Sequence, residues 1–376
     1  MILGNYGTQN TGDEAMLLGL LTELRHFQPK VPISVISRNK LIAAQYQFLQ
    51  VNVIETRLWD LLRTIRVNSG LILGGGTHFQ DDYSINRYLR HLLYMLRYLS
   101  IFGFGWILGK QMYLLSMGFG PFRFTITEWI TCLIVKLSSQ VTVRDQASYQ
   151  YAIRWKNPTK ITVAFDLAAL LANKPIGKQR RKKAVHNNSR LGISTLYIGN
   201  IPNFDVESNQ AFQSSLHEAV RQALQNNPGL EVSIYVFRGA WKRDSDVAVS
   251  QGLWERLHND FSARVSLENY NDPNITLSRM CDLDYFIATR YHSAILAFLA
   301  DLPTLIISYH LKCKELADTL GLPQEAIINL EEALTGGLSH RVLGLIQNPV
   351  SYQAHLTIDE AVASARKNIE ILPQIT

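Results

Sequence analysis

Residues 1–17 read MILGNYGTQNTGDEAML. A short apolar run at residues 1–3 leads into a glycine-rich turn, and helical spacing of apolar residues begins at Ala15. This order of strand, turn and helix is the opening of a βαβ unit. The turn is neither a Walker loop, because no Gly-Lys-Ser/Thr follows, nor the dinucleotide fingerprint. Its backbone N–H groups suit an anion, and the alternative is a tight turn in which Asn10, Thr11 or Asp13 caps the helix.

The same alternation of apolar runs and helical patterns continues along the whole chain and predicts α/β structure with mostly parallel sheets. The predicted strands of the first half lie at residues 1–3, 33–36, 70–73, 112–115, 141–143 and 161–163. A second series has strands at residues 191–198, 232–237, 265–267, 285–288 and 304–307. We therefore expect two Rossmann-like domains facing a cleft, with the active site at the carboxyl ends of the strands.

Length and composition support two domains, because 376 residues that are 47% apolar exceed the size of one ordinary core. We predict an N-terminal domain at residues 1–172, a linker at 173–190 and a C-terminal domain at 191–340. A tail at 341–376, with helical spacing at 357–371, is expected to pack on the first domain. The linker is basic and carries no aromatic residue, so we expect no nucleic-acid partner.

The cysteines indicate a reducing compartment. Cys132, Cys281 and Cys313 are odd in number and far apart, which fits neither a disulfide framework nor a zinc site. Residues 1–4 lack the basic residues with which a secretory signal peptide begins, so we expect a cytoplasmic protein. The first strand is unusually short, and we expect that a few residues are missing upstream of it.

The longest apolar stretch, residues 92–119, is interrupted by Arg97 and Lys110 and has too short a core to cross a bilayer. One interpretation is a buried helix followed by a strand. The other is a shallow membrane-facing patch that would meet a lipid-linked acceptor and hold the protein at the inner face of the cytoplasmic membrane. That patch would consist of Tyr88, Leu92, Tyr94, Phe102 and Trp106.

Two further turns of the first half lie at predicted strand ends. The first, at residues 74–82, reads GGGTHFQDD, and its three glycines lack the Cβ atoms that would block the close approach of another group. Residues 116–121 form a third turn. Two glycine-rich turns in one domain favour a bound ligand. Arg144 follows the fifth strand, where its guanidinium suits a phosphate or a carboxylate. The alternative is an ion pair with Asp145 or Asp166.

In the second half, the strand at residues 285–288 ends in Thr289-Arg290-Tyr291-His292. An arginine and a histidine at one strand end would hold an anion and transfer a proton. The next strand ends near Tyr309 and Lys312. Three cations, from Arg144, Arg290 and Lys312, indicate a ligand with more than one negative group.

These segments, in this order, resemble the polysaccharide pyruvyl transferase family over residues 4–322. The family is similar in architecture to glycosyltransferases of the GT-B type, and it uses phosphoenolpyruvate as donor. Tyr291 departs from the family pattern, in which a smaller aliphatic residue is common. The match is carried by NTGDEA at residues 10–15, GGG at 74–76, GFGP at 118–121, RD at 144–145, RYH at 290–292, and Tyr309 and Lys312.

The resemblance implies transfer of a pyruvyl group from phosphoenolpyruvate to a sugar or lipid-linked oligosaccharide, forming a ketal in cell-surface polysaccharide biosynthesis. It implies a donor-binding C-terminal domain, an acceptor-binding N-terminal domain, and no metal or organic cofactor. The alternatives are a GT-B glycosyltransferase that uses a nucleotide sugar and a non-catalytic subunit of a polysaccharide assembly complex. The implied residues are His292 and Asp13 as catalytic groups, Arg144, Arg290, Lys312 and Tyr291 for the donor, and Asn10, Gly12, Gly75, Gly76, Thr77 and Tyr309 for the acceptor.

Overall fold

The computed structural model describes residues 1–39, 44–81, 85–173, 188–240 and 245–373. The chain forms two compact α/β units. The first contains residues 1–8, 13–171 and 359–376, and the second contains residues 9–12 and 172–358. The predicted basic linker lies almost wholly at residues 174–187, outside the described residues.

The first unit is built on a parallel sheet with the strand order β3-β2-β1-β4-β6-β7-β8, and β5 pairs with β6 beside this path. Its strands are β1 (Ile2–Leu3), β2 (Ile33–Ser37), β3 (Val51–Glu55), β4 (Gly70–Leu73), β5 (Gly76–Phe79), β6 (Gln111–Phe119), β7 (Gln140–Val143) and β8 (Ile161–Val163). Its helices are α1 (Thr11–Phe27), α2 (Leu58–Val67), α3 (Ile85–Ile107), α4 (Thr125–Leu137) and α5 (Gln146–Ala152).

The connections of the first unit decide which helices share a face of its sheet. Right-handed crossovers from β3 to β4, β4 to β6 and β6 to β7 all run in one direction along the sheet, so α2, α3 and α4 cover one face. The step from β1 to β2 runs the other way and puts α1 on the opposite face. The buried sides of α2, α3 and α4 accordingly belong to one apolar cluster, which includes Ile65, Phe102 and Ile134.

The second unit has a six-stranded parallel sheet with the order β11-β10-β9-β12-β13-β14. Its strands are β9 (Ser189–Ser194), β10 (Leu230–Tyr235), β11 (Val265–Glu268), β12 (Tyr285–Ala288), β13 (Thr304–Ser308) and β14 (Ile327–Asn329). Its helices are α6 (Val206–Asn226), α7 (Val247–Phe261), α8 (Pro273–Met280), α9 (Tyr291–Leu299), α10 (Leu311–Leu320), α11 (Leu330–Leu334) and α12 (Gly337–Gln347), and the chain ends with α13 (Ile358–Glu370).

The boundary of the second unit differs from the prediction. Helix α12, which the sequence analysis divided between the second domain and the tail, buries Leu338, Val342 and Leu345 in the core of the second unit. The segment that belongs to the first unit begins at residue 359. There Asn368 is buried and donates to the backbone oxygen of Phe165 at 3.0 Å.

Two predicted elements are corrected by strand pairing. Strand β6 runs four residues past the predicted end at residue 115, because β5 and β7 both pair with its second half. Gly118 therefore lies within a strand and not in the predicted turn. The predicted strand at 191–198 ends at Ser194, and the sequence analysis did not predict β3, β5 and β14.

The long apolar stretch forms most of α3 followed by β6, so the predicted order of helix and strand is confirmed, but α3 is buried on one side only. None of the helices in the described ranges has the length and apolar character needed to span a bilayer.

Candidate functional site

In both units the polar loops lie where the strand order reverses. The first sheet reverses between β1 and β4, and the second reverses between β9 and β12. In sheets of this kind, ligands bind outside the carboxyl ends of the strands at that point. The glycine-rich segments at residues 4–12 and 74–76 follow β1 and β4, and the Thr289–His292 turn follows β12. These three motifs therefore lie at the two positions that this fold uses for ligands.

The loop after β1 is held by a buried carboxylate, Glu14. The backbone nitrogens of Gly7 and Thr8 donate to its Oε1 at 2.7 and 3.3 Å, and the Tyr46 hydroxyl donates to Oε2 at 2.5 Å. Gly7 has a φ of +73°, and a Cβ there would lie 2.2 Å from the Ser37 hydroxyl oxygen. Burial raises the pKa of Glu14 to about 7, and the three hydrogen bonds oppose that shift. The sequence analysis assigned no role to Glu14.

Asp13, the predicted acceptor-side catalytic residue, lies at the amino end of α1 within the first unit. The Asn5 amide donates to its Oδ2 at 2.9 Å, which orients the carboxylate. The side chain is nearly buried, with 9% of the residue exposed. Asn10 begins the same helix, because its side chain accepts from the Gly12 backbone nitrogen at 3.2 Å, as the capping interpretation predicted.

His78 is a buried histidine beside Asp13 that the sequence analysis quoted without a role. Its Nε2 lies 2.9 Å from the carbonyl of Gly75 and must donate there, so Nδ1 accepts from the Tyr94 hydroxyl at 2.9 Å. Tyr94 in turn accepts from the Tyr98 hydroxyl at 3.0 Å. Burial lowers the pKa of His78, and the Asp13 carboxylate opposes the shift. The lowered pKa favours the neutral imidazole, which uses both ring nitrogens in hydrogen bonds within the first unit.

The sequence analysis expected a ligand to approach the glycines at residues 74–76, and the structure shows a different close contact. A Cβ on Gly74 would lie 2.3 Å from the Tyr6 hydroxyl, and one on Gly75 would lie 2.3 Å from the Met16 sulfur. Side chains of the protein itself therefore make the close approach. Gly76 has a φ of +118° and starts β5, which carries Thr77 half-buried at its second position.

Arg144 is buried in the first unit, with 2% of its side chain exposed. Its Nη1 lies 3.4 Å from Asp166, and its Nε lies 3.7 Å from Asp145. A Cβ on Gly118 would lie 3.0 Å from Nη2 of Arg144, so glycine makes room for the guanidinium. Both ion pairs of the alternative interpretation are therefore present. Donor binding by Arg144 stays a prediction.

In the second unit, buried hydroxyl groups fix the turn between β12 and α9. Ser194 at the end of β9 accepts from the Thr289 backbone nitrogen at 3.0 Å, and its hydroxyl lies 2.8 Å from that of Ser293. Ser293 donates to the Arg290 carbonyl at 2.7 Å and accepts from the Arg290 backbone nitrogen at 3.1 Å. The backbone that carries Arg290 and His292 is thus tied to both central strands of the sheet.

Arg290 forms a bidentate ion pair with Asp246, in which Nε donates to Oδ2 at 2.5 Å and Nη2 donates to Oδ1. Asp246 is fully buried, whereas 20% of the Arg290 side chain is exposed. Burial raises the pKa of Asp246, and the guanidinium opposes this shift. Asp246 is therefore a positioning residue for Arg290. Its sequence position, 44 residues before Arg290, gave no signal of this role.

His292 lies against the backbone of the amino-terminal loop segment that belongs to the second unit. Asn10 pairs with Arg238 in an antiparallel bridge, and Thr11 donates to the Phe237 carbonyl through its backbone nitrogen at 3.0 Å. This pairing brings Gly12 to His292. A Cβ on Gly12 would lie 2.0 Å from Nδ1 of His292, so only glycine fits at this position.

The remaining predicted residues of the second unit lie around α9 and α10. Tyr291 is buried, and its ring packs edge-on against His292 with centroids 5.2 Å apart. The Lys312 ammonium lies 5.5 Å from the ring centroid of Tyr309, a cation–π arrangement, and both are half-buried. His310 caps α10 by accepting from the Lys312 backbone nitrogen at 3.3 Å.

The described ranges contain no group of three or more His, Cys, Asp or Glu side chains arranged to hold a metal ion. The candidate site of the second unit presents a guanidinium, an ammonium and an imidazole at the start of helices.

Comparison with known sequences gives a family for this arrangement. A sequence model of the family described as polysaccharide pyruvyl transferase matches residues 10–310. The match begins at Asn10 and includes Arg144, Arg290 and His292. The amylovoran biosynthesis protein AmsJ of Erwinia amylovora is 21% identical over 417 aligned positions, which cover 99% of this chain and 96% of AmsJ.

Solved structures share the fold along nearly the whole chain. UDP-GlcNAc 2-epimerase of Neisseria meningitidis, solved with UDP-GlcNAc, has a TM-score of 0.64 at 11% identity and covers 98% of each chain. HepE of Anabaena, solved with UDP-glucose, has a TM-score of 0.57 at 14% identity and covers 98% of this chain and 94% of its own. The predicted fold class, two Rossmann-like α/β domains of the GT-B type, is confirmed.

Proposed function

Because the chain belongs to the polysaccharide pyruvyl transferase family, we propose that it transfers the pyruvyl group of phosphoenolpyruvate to two hydroxyls of one sugar, forming a cyclic ketal. One observation carries this proposal: Gly12, Arg290 and His292 meet at the strand reversal of the second unit, within the family match. Similarity to a protein named for amylovoran biosynthesis supports a role in polysaccharide biosynthesis. We propose that the product is a bacterial cell-surface polysaccharide and that the reaction takes place in the cytoplasm.

Phosphoenolpyruvate carries a carboxylate and a phosphate, and the proposed donor site is cationic. Arg290 is held in a fixed plane by Asp246, so its guanidinium is oriented before the donor binds. Lys312 adds a point charge beside Tyr309. The amino end of α9 adds the partial positive charge of a helix. These groups would bind both anionic ends of the donor and stabilise phosphate as it leaves.

His292 is proposed as the proton donor. Its imidazolium protonates C3 of the enol, which becomes a methyl group, and positive charge develops at C2. The first sugar hydroxyl attacks C2 and releases its proton. The C2–O bond to phosphate then breaks, and the second hydroxyl attacks C2 to close the ketal, its proton leaving with phosphate. No metal or organic cofactor enters these steps.

Residues of the first unit keep the roles that the family resemblance implies. Asp13, oriented by Asn5, is proposed to orient or deprotonate the acceptor hydroxyl. Arg144 is proposed for the donor. The acceptor is a sugar or a lipid-linked oligosaccharide, and the proposed acceptor residues are Asn10, Gly12, Gly75, Gly76, Thr77 and Tyr309.

Calorimetric titration with phosphoenolpyruvate tests the donor. We expect saturable binding to the wild-type protein and an affinity about tenfold lower for Lys312→Ala, because one charge-assisted contact is lost. Lys314→Ala is the matched control, because Lys314 is exposed on the same helix, and its affinity should equal that of the wild type.

The same titration with UDP-glucose and UDP-GlcNAc tests the alternative glycosyltransferase. Binding of either nucleotide sugar without binding of phosphoenolpyruvate would contradict the proposal. If neither donor bound, the function as a non-catalytic assembly subunit would replace the proposed transferase function.

A further inference from the structure

One face of the first unit exposes many large apolar side chains, more than is usual for a layer of helices that faces water. Helices α2, α3 and α4 bury one side each in a common core, yet their outer sides also carry large apolar residues. We call these residues the outer face. Its members are Leu58, Trp59 and Val67 of α2, Leu89, Leu93, Leu96, Trp106 and Ile107 of α3, and Ile126 and Trp129 of α4.

Four of the five exposed apolar residues of α3 form one stripe along the helix. Leu89, Leu93, Leu96 and Ile107 are separated by four, three and eleven residues, which keeps them on one side of a helix with 3.6 residues per turn. They are between 40% and 72% exposed. Met95, Tyr98 and Phe102 occupy the opposite side and are buried, so the stripe points away from the core. This corrects the predicted patch, which included the buried Phe102.

Charge around the outer face is strongly basic. The segments 57–67, 85–110 and 123–137 contain nine Lys or Arg and only two acidic residues, Asp60 and Glu128. Glu128 is already paired with Arg154 at 2.8 Å. Helix α3 has no acidic residue at all. A partner for this face must therefore accept apolar side chains and carry negative charge.

Each of the three helices carries one exposed tryptophan. Trp59, Trp106 and Trp129 are 80%, 63% and 55% exposed. Exposed tryptophan beside arginine is typical of surfaces at the boundary between lipid headgroups and acyl chains. Between α2 and α3 a groove of about 180 Å³ is lined by Leu58, Leu62 and Phe104, with Arg97 at its side.

We propose that the outer face binds the surface of an anionic lipid bilayer, with α3 lying parallel to it. The leucine stripe and the tryptophans would enter the headgroup boundary, and the flanking arginines would pair with lipid phosphates. The inference is independent of the proposed reaction, because it rests on the helix layer of the first unit and on no residue of the candidate site.

Co-sedimentation of the full chain with vesicles tests this. We expect binding to vesicles of phosphatidylethanolamine and phosphatidylglycerol, and binding at least tenfold weaker to phosphatidylcholine vesicles. The variant Leu89→Gln/Leu93→Gln/Leu96→Gln should bind anionic vesicles at least tenfold less, because its stripe is polar. The affinity of Arg63→Gln/Arg90→Gln for anionic vesicles should fall about fivefold for each charge removed.

Val206→Gln/Val350→Gln is the matched control, because both valines are exposed apolar residues of the second unit, and it should bind like the wild type. Equal melting temperatures would show that the variants are folded. Failure of the wild type to bind vesicles, or unchanged binding by the leucine variant, would overturn the proposal. A lipid-free dimer that the leucine variant breaks would also overturn it, because a second copy would then cover the face.

Discussion

Gly12 and His292 form the contact that links the amino-terminal loop to the proposed chemistry. We expect Gly12→Ala to lower kcat about 100-fold with a smaller change in the KM for phosphoenolpyruvate, because a displaced imidazole misses the reacting carbon. Steady-state phosphate release measures both constants. Gly252→Ala is the control, because a Cβ at Gly252 of α7 has nothing within 4 Å, and its activity should equal that of the wild type. Wild-type kcat in Gly12→Ala would contradict the positioning of His292 by this contact.

Glu14 predicts how stability depends on pH. Its pKa is raised from 4.5 to about 7 by burial, so the folded state keeps a proton that the unfolded state has lost between these values. Stability should therefore fall as pH rises through this window, by at most about 3 kcal/mol, and level off above it.

Denaturant unfolding of Glu14→Gln at about pH 5 and pH 8 measures this slope, which the variant should lack because glutamine does not titrate. Glu370→Gln, exposed on α13, should keep the wild-type slope. An unchanged slope in Glu14→Gln would assign the pH dependence to another group.

The positions of the proposed site residues were predictable from sequence only near strand ends. Arg290 and His292 follow β12 closely and Lys312 lies in the helix after β13, as predicted, while their roles stay predictions. Asp246 was missed because its partner Arg290 is 44 residues away and only the folded sheet joins them. The close approach at Gly74 and Gly75 was predicted, but not that Tyr6 and Met16 make it, because these side chains come from another strand end and from α1.

At the scale of elements, strands with continuous apolar runs were predicted well and short edge strands were not. β3 contains Asn52 and Glu55, and β14 has only three residues, so neither gives a clear apolar run. β6 was predicted too short because Ser116 and Gly118 interrupt its pattern. Ser116 is buried, its hydroxyl accepts from the Leu167 backbone nitrogen at 3.3 Å, and its backbone nitrogen donates to the Thr142 hydroxyl at 2.7 Å.

Helix α13 contributes a buried amide, that of Asn368, to the first unit. Its nitrogen donates to the carbonyls of Phe165 and Ala365, and its oxygen accepts from the Thr142 hydroxyl. Asn368→Ala should destabilise the first unit by about 2–3 kcal/mol, because a buried hydroxyl and a buried carbonyl lose their partner. Thermal unfolding measures this, with Lys367→Ala, exposed on the same helix, as control. Equal melting temperatures for the two variants would contradict this role of Asn368.

At the scale of the molecule, two sheets with the same reversal of strand order explain why the sequence motifs were informative. The motifs at residues 10–15, 74–76 and 290–292 follow strands next to the reversal, where ligands bind in sheets of this kind, whereas Arg144 and Lys312 follow β7 and β13 farther along the sheets. The fold alone does not choose between donors, since the similar solved structures hold UDP-sugars. The choice of phosphoenolpyruvate depends on the family match and on the chemistry of Arg290, His292 and Lys312.

The measurement that tests this choice most directly is mass spectrometry of a sugar acceptor after incubation with phosphoenolpyruvate in deuterated water. We predict release of phosphate and an acceptor carrying a pyruvyl ketal whose methyl group holds one deuterium from solvent. His292→Ala should form no ketal, whereas His340→Ala, exposed on α12, should form as much as the wild type. Transfer of a sugar from a UDP-sugar to the same acceptors, without ketal formation from phosphoenolpyruvate, would contradict the account.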